Sequence, residues 1–244
     1  MEFSSVAILG VRIHAVTTTQ TLAWVEQAVA ARAPRQICTA NPEFVMAAQT
    51  NLAFREVLNA ADLVIPDGVG LRWAARQQGA FLPERVAGSD LIYRLAELAA
   101  RNGWGIYFLG AAEGVAAITA EKLQTRYPVL RVAGAWAGTP KDEDAPEIVA
   151  RIAVARPDIL LVAYGAPAQD LWIARHRAML NVPVSMGVGG SFDFVAGVAH
   201  RAPIWVQRLG LEWLHRLMRQ PRRAGRIFTA VVRFPLAVLR ARLS

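Results

Sequence analysis

Two short polar motifs follow apolar segments in the first third of the chain, and both carry groups that can do acid–base chemistry. They are TANPE at 39–43 and PDGVG at 66–70. Asp67 ends a buried-strand pattern, where a carboxylate is costly unless it is paired or used. There it can accept a proton from an attacking hydroxyl group as a general base, although Asp-Gly is also an ordinary turn pair. Asn41 could equally be a helix N-cap before Pro42, and Thr39 an ordinary strand residue.

The segment RVAGSD at 85–90 offers a cation suited to phosphate. The planar guanidinium of Arg85 can bind a phosphate or a carboxylate through two hydrogen bonds. A solvated surface arginine is the alternative. Ser89 or Asp90 is expected to cap the helix that follows.

Two glycine-containing turns complete the polar set, YGAPAQD at 164–170 and GVGGSFD at 187–193. Amides at a helix start bind anions, and glycines let backbone amides approach a phosphate closely. Gln169 could orient a donor sugar or be a plain first-turn residue. Asp193 could bind ribose or base or simply begin a helix. As a dinucleotide fingerprint the second turn is weak, because its spacing is incomplete and it follows the last predicted strand.

The last 44 residues have a composition of their own. Residues 201–244 hold ten arginines and one acid, Glu212, a net charge of 10 − 1 = +9, whereas the other 200 residues sum to −1. Arg222, Arg226, Arg233 and Arg240 fall on one helical stripe beside many apolar residues. This pattern is typical of a helix in a membrane interface with anionic lipid. The alternative is a solvated charged face packed on the core. Nucleic-acid binding is disfavoured because no nucleic-acid module is recognisable.

The elements that would position these groups alternate between strand and helix. Strands are predicted at 6–12, 36–40, 63–66, 105–109, 130–133, 158–163 and 182–187, and helices at 21–32, 89–101, 112–126, 144–156 and 168–180. Such alternation predicts an α/β fold with a mostly parallel, Rossmann-like sheet covered by helices on both faces. We divide the chain into a catalytic α/β domain, 1–195, and a helical C-terminal appendage, 196–244. Ligands of such sheets lie beyond the C-terminal strand ends.

Composition narrows the class further. With 244 residues and 54% hydrophobic content, the chain can bury one full core and a modest appendage. One cysteine, Cys38, excludes an internal disulfide. The four histidines show no metal-ligand spacing. We expect no signal peptide and no membrane-spanning helix. Self-association is left open, without support from a coiled-coil heptad.

Together, the order and spacing of these motifs resemble the WecG/TagA/CpsF family of bacterial glycosyltransferases, glycosyltransferase family 26. The resemblance rests on TANPE, PDGVG, RVAGSDL, YGAPAQD, GVGGSFDFVAG and RAPIWVQRLGLEWLHRLMRQPRR, which span residues 39–223. It implies sugar transfer, with inversion and without an obligatory metal, from a UDP-sugar donor to a polyprenyl-diphosphate-linked sugar, the undecaprenyl diphosphate carrier of cell-surface polysaccharide synthesis. It also implies a peripheral position on the cytoplasmic side of the bacterial inner membrane, against its anionic leaflet.

The resemblance also assigns roles by motif. Asp67 would be the general base. Thr39, Asn41, Arg85 and Gln169 would line the donor pocket. The nucleotide would lie beside Gly189, Gly190 and Asp193. The lipid diphosphate would meet Arg216, Arg222 and Arg226.

One motif departs from the family. Members usually read Pro-Lys-Gln-Glu where this chain reads Pro167-Ala168-Gln169-Asp170. The missing lysine removes a phosphate contact at Ala168, and Asp170 keeps the charge of the usual glutamate with a shorter reach. The donor could be N-acetylmannosamine, its uronic acid, glucose or another hexose. A membrane-tethered nucleotide-sugar-binding protein without transferase activity is the alternative function.

Overall fold

The structure, a computed structural model, describes residues 1–200, 206, 213–214, 218 and 224–243. In this part of the chain there are eight strands: β1 (Ser5–Ile8), β2 (Val11–His14), β3 (Arg35–Ala40), β4 (Leu63–Pro66), β5 (Gly105–Gly110), β6 (Arg131–Trp136), β7 (Ile159–Ala163) and β8 (Val184–Gly187). Six of them form one sheet in the order β4-β3-β8-β7-β5-β6, and all neighbouring pairs are parallel.

Helices cover both faces of this sheet. They are α1 (Thr18–Ala31), α2 (Pro42–Thr50), α3 (Leu52–Ala60), α4 (Val69–Gln77), α5 (Gly88–Asn102), α6 (Val115–Arg126), α7 (Ala145–Ala155), α8 (Ala168–Leu180) and α9 (Ser191–Ala196). Helices α1, α5, α6 and α9 pack on one face, and α2, α3, α4, α7 and α8 on the other. Strand β4 shows the division, since Leu63 and Ile65 enter the first core and Val64 the second. The predicted Rossmann-like α/β fold is confirmed.

The single strand predicted at 6–12 is wrong. The chain reverses at Leu9 and Gly10, which both have positive φ, 49° and 77°, and β1 pairs with β2 as an antiparallel hairpin outside the main sheet. Two consecutive positive φ values suit a tight hairpin turn. Leucine rarely adopts this conformation, so Gly10 was the only residue type at the turn that signalled it.

The end of the chain forms helix that is described from residue 224 onward. Helix α10 (Ala224–Phe228), a π-helical stretch (Thr229–Arg233) and α11 (Phe234–Leu243) follow one another without a break. Phe234 and Val238 are buried in the same core as α2 and α4. The helical prediction is thus met for 224–243, and part of the appendage rests on the α/β core. The boundary placed at 195 stays a prediction. Among the described residues, no helix is both long and apolar enough to cross a membrane.

Candidate active site

The pairing of β3 with β4 brings the first two motifs together. Thr39 lies opposite Ile65, Ala40 opposite Pro66, and the Asp67 amide donates to the Ala40 carbonyl at 2.7 Å. Asp67 therefore leaves its strand beside Asn41. Both residues occupy the carboxyl edge of the sheet, where ligands of open α/β sheets bind.

The neighbouring strands bring the two glycine turns to the same edge. Strand β8 lies between β3 and β7, and the Val188 amide donates to the Val162 carbonyl at 2.9 Å. A cleft of about 300 Å³ opens here, at the lower end of the size range of ligand pockets. Its walls include every proposed site residue that the structure describes: Thr39, Asn41, Asp67, Arg85, Gln169, Gly189, Gly190, Asp193 and Arg226. Arg216 and Arg222, which are also predicted to meet the lipid diphosphate, lie outside the described residues. The chemical roles of all these residues stay predictions.

The Asp67 carboxyl group is oriented by the start of α5. Its Oδ2 accepts a hydrogen bond from the Gly88 amide at 3.1 Å. A Cβ at Gly88 would lie 3.2 Å from Thr39 Cγ2 and 3.7 Å from Asp67 Oδ2, so Thr39 and Asp67 flank this glycine closely. The predicted capping of α5 by Ser89 or Asp90 is wrong, because the helix begins at Gly88 without a side-chain cap. A carboxylate from the neighbouring strand end takes that place.

Three helices of nine or more residues begin at the cleft. They are α2 at Asn41, α5 at Gly88 and α8 after Ala166. Asn41 is the predicted N-cap, since its Oδ1 accepts from the Phe44 amide at 3.0 Å, and it also lines the cleft. The partial positive charge of helix N-termini favours anions. With Arg85 on the wall, the cleft is electrostatically suited to a diphosphate.

Gln169 is a buried connection between α8 and the glycine turn. Only 1% of it is exposed, and its Oε1 accepts from the Gly189 amide at 2.9 Å. Its Nε2 finds no hydrogen-bond partner within the described part of the chain. A Cβ on Gly187 would come within 2.5 Å of this Nε2, so only glycine lets the side chain pass. Gln169 therefore fixes the glycine turn through its Oε1, while its buried Nε2 lies on the side of Asp170.

The carboxyl group of Asp170, the residue after Gln169, has a pKa that is shifted more strongly than the sequence suggested. It is fully buried, and burial raises the pKa of its carboxyl group to about 7. The Cys38 thiol and the Gln169 amide lie near enough to offset part of this shift, but neither makes a normal hydrogen bond to the carboxyl oxygens. Burial, and next the charge of Asp170, raise the pKa of Cys38. The sequence signal was a carboxylate in the first turn of an inward-facing helix, which was considered only by comparison with the family.

The C-terminal helix closes one side of the cleft. Arg226 Nε donates to Glu43 Oε2 at 2.7 Å, which links α10 to the first turn of α2. The Arg226 side chain is still 53% exposed. The family resemblance predicted that Arg226 meets the lipid diphosphate, and this role stays a prediction. The resemblance gave no role to Glu43, which became recognisable only through this contact.

No metal centre is formed by the described residues, where no group of three or more histidine, cysteine, aspartate or glutamate side chains has the geometry to hold an ion. Helix N-termini and the side chains of Arg85 and Arg226 line the cleft.

Comparison with known proteins identifies the family of the chain. Residues 6–244 match the Glycosyl transferase WecG/TagA/CpsF family. The chain belongs to this family. It is a glycosyltransferase, and both the family prediction and the enzyme prediction are confirmed.

Curated members of the WecG/TagA/CpsF family agree in name. The chain is 36% identical over 204 residues to a protein of Bacillus spizizenii called N-acetylglucosaminyldiphosphoundecaprenol N-acetyl-beta-D-mannosaminyltransferase, covering 84% of this chain and 78% of that protein. The Bacillus subtilis protein of the same name is 34% identical with the same coverage. A Staphylococcus aureus protein of that name is 34% identical over 191 residues, covering 78% of this chain and 74% of that protein.

Proposed function

We propose that this glycosyltransferase moves an N-acetylmannosamine-type or related hexose unit from a UDP-sugar to a sugar carried on polyprenyl diphosphate, with inversion and without a metal ion. The observation that carries the proposal is the cleft itself. It combines a carboxylate at a strand end, Asp67, with three converging helix N-termini and Arg85. The relatives' printed names supply the acceptor class, a sugar on diphosphoundecaprenol.

The donor's diphosphate is expected beside the starts of α2 and α8. The Gly88 amide at the start of α5 donates to Asp67 and the Gly189 amide donates to Gln169, whereas Arg85 adds a cationic side chain to the cleft wall. Charge develops on UDP as it departs, and donors fixed in advance stabilise such charge most strongly. This arrangement supports metal-independent transfer, which would continue in the presence of a chelator.

Asp67 is the proposed general base. Its carboxylate takes the proton of the acceptor hydroxyl group while that oxygen attacks the anomeric carbon. The bond from the anomeric carbon to the UDP oxygen breaks, and UDP leaves with the electron pair. One displacement inverts the anomeric configuration. The Gly88 amide holds Oδ2 in place, so the carboxyl group is oriented before substrate arrives.

The C-terminal helix supports a peripheral membrane position on the cytoplasmic side. One face of it is buried on the core through Ile227, Phe234 and Val238. Apolar side chains also remain exposed on the same helix: Phe228 (50%), Val231 (38%), Val232 (38%), Leu236 (49%) and Leu239 (41%). Together with the arginines, such a surface suits an anionic leaflet that holds a lipid-linked acceptor.

The transfer reaction is tested by UDP release. Purified protein is mixed with a panel of UDP-sugars that includes UDP-N-acetylmannosamine, with and without N-acetylglucosamine-diphosphate-prenol in detergent and with chelator throughout. Acceptor-dependent release with one donor supports the proposal. Asp67→Asn should keep donor binding and lose about 10²–10⁴-fold in kcat, the usual contribution of a general base. The matched change Asp90→Asn, at an exposed acid of α5, should leave kcat within about twofold. Normal turnover in Asp67→Asn would remove it as the base.

Membrane contact is tested by vesicle flotation. The double change Phe228→Ala and Leu236→Ala should weaken binding to anionic vesicles. The matched control, Phe81→Ala with Leu52→Ala, removes side chains that are more exposed (63% and 67%) and lie elsewhere, and it should bind as wild type does. Equal loss in both pairs would assign the binding to general surface apolarity rather than to this helix.

A further inference from the structure

A second cavity adjoins the cleft on the side of the C-terminal helix. It measures about 370 Å³ and lies between α2 and the segment formed by α10 and the π-helical stretch. Its apolar wall is formed by Phe44, Met46, Ala47, Phe54 and Pro167. We call it the α2 cavity.

The α2 cavity and the catalytic cleft are neighbours with a common wall. Glu43, Phe44, Ala166 and Arg226 line both. A ligand in the cleft can therefore extend past Arg226 into the α2 cavity. The two spaces differ in chemistry, since the cleft wall carries Asp67 and the helix starts, and the α2 cavity is mostly apolar.

Two arginines stand at the boundary of the α2 cavity. Arg226 reaches Glu43 from one side, and Arg233 lines the cavity one helical stretch later with its guanidinium 5.7 Å from the Phe228 ring centre. Both side chains are exposed. They can meet an anion without a large desolvation cost.

We propose that the α2 cavity holds the first isoprene units of the acceptor's polyprenyl chain, with the diphosphate between Arg226 and Arg233 and the acceptor sugar in the cleft beside Asp67. This inference rests on the proposed function. The acceptor consists of a sugar, a diphosphate and an apolar chain in that order. The protein presents a polar cleft, Arg226 on the wall that the two spaces share, and an apolar cavity that Arg233 also lines.

The experiment measures preference for chain length. N-acetylglucosamine-diphosphate acceptors that carry either one isoprene unit or a long prenyl chain are compared in the same mixed micelles, so that only the long chain can fill the cavity, and the ratio of kcat/KM for long over short is determined. Ala47→Phe fills the cavity from α2, and Thr229→Phe fills it from the opposite wall. Ala117→Phe is the matched control on an exposed position of α6. Thermal melting and UDP binding verify that each variant is folded.

The expected result is a fall of the ratio by about tenfold in both cavity variants, equal to about 1.4 kcal/mol and to the lost burial of about two methylene groups. The control should keep the wild-type ratio, which removes micelle partition as the cause. If folded Ala47→Phe and Thr229→Phe still transfer sugar with an unchanged ratio, the inference is overturned while the proposed function stands. The cavity would then be empty or hold a membrane acyl chain. No transfer by wild type to any acceptor would overturn both.

Discussion

The replacement of Asp170 by asparagine tests the most unusual electrostatic feature of the protein. Asp170 is fully buried, and burial raises its pKa from 3.8 to about 7. Asparagine has nearly the same shape and carries no charge at any pH. The variant therefore removes the cost of ionising the buried group and changes little else.

The sign and size of the effect follow from linkage. Because the folded-state pKa lies above the unfolded one, the folded state holds the proton more tightly, and this group's contribution to stability falls as pH rises through the interval between the two values. At full ionisation a shift of about three units amounts to roughly 4 kcal/mol. Between pH 5 and pH 8 the same two pKa values give a loss of about 2–3 kcal/mol. Asp170→Asn should gain that amount relative to wild type over this range.

The assay is urea unfolding at pH 5 and pH 8, with the free energy of unfolding taken by linear extrapolation. The difference between variant and wild type cancels other titrating groups, such as His14, whose pKa is lowered mainly by burial. Glu121→Gln makes a similar change at an exposed position of α6 and should show no pH-dependent difference. If the curves of Asp170→Asn and wild type run parallel from pH 5 to pH 8, the carboxyl group titrates normally and the reasoning about its burial is refuted.

Two further changes test how the site and the C-terminal helix are held. Gly187→Ala should raise the KM for the UDP-sugar by at least about tenfold, because its Cβ would lie 2.5 Å from the Gln169 amide nitrogen. The control Gly225→Ala, where a Cβ meets nothing within 4 Å, should leave KM unchanged. Equal KM values in the two variants would show that Gln169 does not contribute to donor binding. Phe234→Ala should lower the free energy of unfolding by about 3–5 kcal/mol through lost packing. It should also speed hydrogen exchange in residues 224–243 more than in the central strands. An equal increase in exchange throughout the protein would show that this helix does not unfold as a separate unit.

Much of the architecture could be predicted because parallel strands with helices on both faces of the sheet appear in the sequence as continuous apolar runs. Strand 63–66 and helix 168–180 were placed at the residues where the structure has them, and Asp67 at the end of β4 followed directly. The hairpin was missed because Leu9 adopts a positive φ that its type disfavours, which left Gly10 as the single signal of the turn.

Features of the site that depend on neighbouring residues could be predicted from the sequence, whereas contacts between distant segments could not. Asn41 as an N-cap is a local signal. The cap of α5 by Asp67, 21 positions earlier, and the link from Glu43 to Arg226, 183 positions apart, depend on the folded chain. The residues that the family resemblance singled out, and that the structure describes, lie in one cleft, and their chemical roles stay predictions.

The burial of Cys38 makes the native protein nearly inert to thiol reagents. It is the chain's sole cysteine, it is fully buried, and its raised pKa keeps it in the unreactive thiol form. A cysteine introduced at the exposed Val232 would then be the one site that a maleimide dye labels, without prior removal of a native thiol. The enzyme is thus ready for single-site fluorescence, in which a polarity-sensitive dye on the C-terminal helix would report lipid contact during turnover.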